Sequence, residues 1–127
     1  MAITATSEIL YDGRRNVIMQ FTGISNGTGQ ETNVTKVDIS QLMPKPITVK
    51  IERIEYDVTG GVVKLAWDAD EDVNFAVLTG FDELDYCNIN GMVNSAGYGK
   101  TGNILLSTSG FEENSAYTIK LNMIKKF

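Results

Sequence analysis

The chain has 127 residues, 43% of them hydrophobic and 21% charged, with one cysteine, no histidine and a formal net charge of −5. This is the size of one domain with a core of its own, too apolar for a disordered chain and large enough to fold without disulfide or metal. The missing histidines remove the commonest general base and imidazole ligand, and the surplus of acid disfavours binding to phosphate backbones.

The strongest pattern is alternation with period two, the mark of a strand with one buried face. Met1–Ser7 is small and polar around one large apolar side chain, Ile3, and reads as an arm able to add a strand to a neighbour's sheet edge. Asp12-Gly13 then separates Glu8–Tyr11 from Asn16–Ile24, a hairpin signal, and Val17, Met19 and Phe21 alternate with Ile18, Gln20 and Thr22 beyond it. Ser25–Thr32 (SNGTGQET) has no large apolar residue and reads as an exposed loop, and Pro44 and Pro46 keep Gln41–Pro46 out of a central strand.

From Ile47 to Val58 the apolar phase slips by one, from Ile47, Val49 and Ile51 to Ile54, Tyr56 and Val58. Such a slip turns the core face outward unless one extra residue is absorbed, so a β-bulge is predicted near Glu52-Arg53, the alternative being two short strands with a kink. Thr59-Gly60-Gly61 is expected to turn this strand into a hairpin with Val62–Trp67, where Trp67 shares the phase of Val63 and Leu65 and belongs to the core. The acidic stretch Asp68–Asp72 leads to a strand at Val73–Leu78, and Asn88–Gly102 is the longest irregular region. Tyr117, Ile119, Leu121 and Met123 form one face of a C-terminal strand. The expectation is an all-β chain over residues 1–127: a single antiparallel β-sandwich, jelly-roll-like, with about eight or nine short strands.

Motifs of chemistry are weak. Gly99-Lys100-Thr101 carries part of a phosphate loop, but Asn94 stands where the motif needs glycine and no helix is expected to follow. Asp68, Asp70 and Asp72 have calcium-loop spacing, but Val73 and Thr79 occupy the positions that need glycine and glutamate. Cys87 is expected as a small buried hydrophobe. No pair among the sixteen acids is singled out for hydrolysis, so no catalytic, cofactor or metal residues are assigned. No apolar stretch nears the roughly 20 residues that span a bilayer, and the N-terminus lacks a signal-peptide pattern, so a soluble, unprocessed chain is expected.

Four stretches, ITATSEILYDGRRNVIMQFTG, ETNVTKVDIS, KIERIEYDVTGGVVKLAWDAD and YTIKLNMIKKF, span most of the chain. Together the chain resembles the small virion structural proteins of tailed bacteriophages, and among them the capsid decoration (cement) proteins. The resemblance implies a non-enzymatic β domain on the outer capsid surface, bound to the major capsid protein as a trimer or dimer, with no cofactor, nucleic acid or membrane. It transfers no site residues. Residues 1–64 balance seven acids with seven bases, whereas residues 65–127 carry nine acids and four bases. The shell-facing surface is therefore expected on the more neutral half, with Ile3, Arg14, Arg15 and Lys45 as contact residues. The alternatives are a tail or head-tail component, or a carbohydrate- or receptor-binding sandwich using Trp67 or Tyr98.

Overall fold

In the computed structural model the described residues are 3–27, 30–89 and 91–127, without the side chains of Ile3, Thr4 and Asn88. The strands are β1 (Ile3–Asp12), β2 (Asn16–Ser25), β3 (Val34–Val37), β4 (Thr48–Trp67), β5 (Val73–Asp85), β6 (Ile104–Ser109) and β7 (Ala116–Lys126). Single 3₁₀ turns at Ile39–Gln41 and Cys87–Ile89 are the only helical pieces among the described residues. Every strand pairing is antiparallel, and the order is β1-β2-β7-β4-β6-β3 with β5 also on β4. The result is one continuous sheet nearly closed into a barrel.

β4 organises it. Along its length β4 pairs with β7 through Thr48–Thr59, with β6 through Val62–Trp67, and with β5 over both stretches. The expected bulge is present, because the β4–β7 register shifts between Ile51 and Arg53, and both Ile51 and Ile54 are completely buried. An extra residue there keeps the core face inward through the phase slip.

Among the described residues seven strands stand in place of the expected eight or nine, in part because the expected turn at Thr59-Gly60-Gly61 is absent. Thr59-Gly60-Gly61 does not reverse the chain, and β4 runs straight through it. Gly60 has φ +88°, and the β4–β5 register shifts between Val58 and Val63 to absorb the extra residues. A Cβ on Gly61 would collide with the ring of Phe111, and one on Gly60 with the Ser115 hydroxyl. These glycines serve close approach of the 110–115 connection rather than a hairpin. The strand expected at Val73–Leu78 likewise continues to Asp85, carrying a second group of acids along the sheet edge.

The predicted hairpin is in place, with β1 and β2 joined through Gly13–Arg15. The stretch expected as an arm is, from Ile3 onward, paired with β2, Ile3 opposite Ser25 and Ser7 opposite Phe21. Met1 and Ala2, and the side chain of the expected contact residue Ile3, lie outside the described residues.

One core fills the interior. Val17, Met19 and Phe21 of β2 and Tyr117, Ile119, Leu121 and Met123 of β7 all face it, as the alternation requires. Trp67 is completely buried and stacks on Phe75 with ring centroids 4.4 Å apart. Burying each such side chain contributes about 1.5–3 kcal/mol, so the wall of alternating residues dominates the stability of the sheet.

Candidate contact surfaces

Two places join charge to exposed apolar side chains. The first is the end of the barrel where the β1–β2 turn meets the 41–47 loop. Lys125 follows the inward phase of β7 and its side chain is completely buried. Its ammonium donates to the carbonyls of Gly13 at 2.5 Å and Met43 at 2.7 Å and pairs with Asp12. The second Asp12 oxygen accepts the Met43 N–H at 3.0 Å, and the Lys125 N–H donates to the Arg15 carbonyl at 2.7 Å. Burial works to raise the Asp12 pKa, but the hydrogen bonds from Lys125 and Met43, with the Lys125 charge, prevail and hold it below its ordinary value. One buried cation thus locks the Arg14–Arg15 turn against the loop that carries Lys45.

Three of the four expected contact residues, Arg14, Arg15 and Lys45, are therefore brought to one end, all exposed, together with exposed Lys126. Two large apolar residues stand among them, Met43 at 75% and Ile47 at 68% exposure, and Ile47 N–H bonds the Lys126 carbonyl. Sequence reasoning missed these two. It also passed over Lys125, although the 117-119-121-123 phase continues inward to it.

The second place is the outer face of β4 and β5. Phe81 is 83% exposed and lies opposite Asp57 in the β4–β5 register. It borders a shallow cleft of about 360 Å³ with Glu55, Asp57 and Glu83, against which Lys120 is the one base, while Asp82, opposite Tyr56, belongs to the other face of the strand. Lys120 is itself engaged by Glu55 at 3.1 Å, and Arg53 nearby by Glu83 at 3.2 Å and Asp85 at 3.6 Å. The surroundings of Phe81 thus keep a surplus of negative charge.

The remaining sequence candidates are placed as follows. Trp67 is core, so it offers no sugar platform, whereas Tyr98 is 91% exposed. Cys87, expected inside, is exposed in the 3₁₀ turn after β5 because β5 ends before it. The Asp85 carboxylate beside it, with smaller contributions from its desolvation and from Glu52, raises the thiol pKa, so it stays protonated at neutral pH. Residues 97–102 lead into strand β6 and not into a helix, so Gly99-Lys100-Thr101 lacks the phosphate-binding geometry. In the 68–72 loop the Asp68 carboxylate accepts the Thr101 hydroxyl at 2.7 Å and Asp72 accepts the Ala69 N–H at 3.1 Å. Among the described residues no group of three or more potential ligands converges on a metal position.

The loop expected to be exposed at Ser25–Thr32 is inward at Glu31, which packs over β6. Its carboxylate pairs with the Lys36 ammonium at 2.9 Å and accepts the Tyr117 hydroxyl at 2.6 Å, all three groups buried. Burial and the adjacent carboxylate push the Tyr117 phenol far above its ordinary range. Nothing in the polar run SNGTGQET marks Glu31, because its partners come from β3 and β7. No protein-family model matches the chain, and no curated protein matches it significantly.

Proposed function

We propose that this chain is a non-enzymatic structural protein of a bacteriophage virion, a decoration or cement protein that binds the major capsid protein on the outside of the head and stabilises the shell. The observation that carries the reading is the pairing of a continuously packed β scaffold with exposed apolar side chains set in charge, Met43 and Ile47 at a basic end and Phe81 on an acidic face. Apolar residues ringed by charge are the anatomy of a protein-binding surface. In this reading the bent sheet works as two facing layers, a jelly-roll-like sandwich, because β4 and β5 each run through both stretches of pairing. Arg14, Arg15 and Lys45 form its contact end. Copies act together as a trimer or dimer, and symmetry multiplies modest single contacts into firm attachment.

The sugar-binding alternative loses Trp67 to the core and keeps only the exposed Tyr98. The test is to add the purified chain to expanded heads assembled from the major capsid protein of the same phage. Saturable binding with increased resistance of the heads to heat is expected. Heads that neither bind the chain nor gain resistance overturn the reading.

A further inference from the structure

We propose that the basic end of one copy docks onto the Phe81 surface of a second copy, so that the chain assembles head to tail. This shares with the reading above the use of Arg14, Arg15 and Lys45 as a contact end, and departs from it by giving that end to a second copy in place of the capsid protein.

The two surfaces are complementary in both chemistry and sign. One presents Met43 and Ile47 among Arg14, Arg15, Lys45 and Lys126, against the acid Asp38 near Lys45; the other presents Phe81 among Glu55, Asp57 and Glu83, against Lys120 paired to Glu55. Lys125, the remaining base at the first surface, is spent on Asp12 and two carbonyls and is not available to a partner. Pairing either surface with itself sets like charge against like, which costs free energy when the groups lose water. Pairing one with the other buries three large apolar side chains and opposes the charges at the rim. A contact between two different surfaces is heterologous: it closes a small ring where the rotation allows and otherwise extends. The basic end is also rigid before binding, because Lys125 already joins its turn and loop, so little ordering is lost on docking.

Sedimentation velocity at low ionic strength tests this on the whole chain. The unaltered protein is expected to form oligomers that dissociate as salt rises. Two double variants each reverse one surface: Arg14→Glu with Arg15→Glu, and Asp57→Lys with Glu55→Lys, the latter leaving the Arg53–Glu83 pair intact. Each alone is expected to weaken association by about tenfold or more. Mixed in equal amounts they are expected to associate again, because the unaltered basic end of one meets the unaltered acidic surface of the other and the two reversed surfaces are also complementary in sign. Phe81→Ser weakens association without a change of charge, and serves in place of a reversal whose melting curve shows a folding defect. A protein that sediments as a monomer at low salt, reversals without effect, or a mixture that stays monomeric overturns the proposal. The two readings fail separately. Oligomers that do not bind heads sink the decoration role alone, and heads decorated by a monomer sink this contact alone.

Discussion

At the scale of single residues the two buried lysines set the largest local stakes. Lys125 without Asp12 keeps two carbonyls but loses its counter-charge, so Asp12→Asn is expected to cost about 2 kcal/mol at neutral pH, read from urea unfolding. The Asp12 pKa is lowered on folding, so its contribution is present above the unfolded value and is lost as pH falls through the folded one. The cost of Asp12→Asn should therefore shrink below about pH 4, and a pH series of unfolding curves shows whether the two proteins converge. Lys36 has the harsher surroundings, because Glu31 is its counter-ion in the interior. Glu31→Ala is expected to cost about 3 kcal/mol or more, and Tyr117→Phe about 1 kcal/mol, in the same measurement. Cys87 should react with a thiol reagent in the folded protein, more slowly than free cysteine at pH 7 and with a midpoint displaced upward. Lys125 was legible, since strand phase alone turns it inward. Glu31 was not, because a loop has no period and its partners are remote in sequence.

Among the elements, β2, β7 and the bulge of β4 could be read directly, because a half-buried strand writes its faces into alternate residues. The Ile51–Ile54 slip is visible for the same reason: two core residues three apart cannot share a face of an unbroken strand. The glycine pair in β4 shows where this reading stops. A Gly-Gly step has the same spelling whether it turns the chain or admits a neighbour, and the ring that decides between them is Phe111, fifty residues downstream. Gly61→Ala must displace that ring and is expected to cost about 3 kcal/mol. Gly97→Ala, where an added Cβ meets nothing within 4 Å, should be neutral or slightly stabilising. Comparing the urea midpoints of the two separates close approach from loss of glycine flexibility.

For the molecule as a whole, composition and turn spacing gave the β class, but not the strand count or pairing. Those depend on β4, which spans two neighbours laid end to end and so disguises one long strand as two short ones. The candidate contact surfaces were half legible. Clustered charge showed in the sequence, whereas Met43, Ile47 and Phe81 are spelled like core residues and only the fold turns them outward. The placing of β7 between β2 and β4 has a consequence for synthesis. Before residues 116–126 leave the ribosome, the β1–β2 hairpin has no strand to connect it to β4, and the core face of β2 waits in water. Completion of the sheet is thus expected to wait for β7, which alone among the described strands joins the amino-terminal hairpin to the rest.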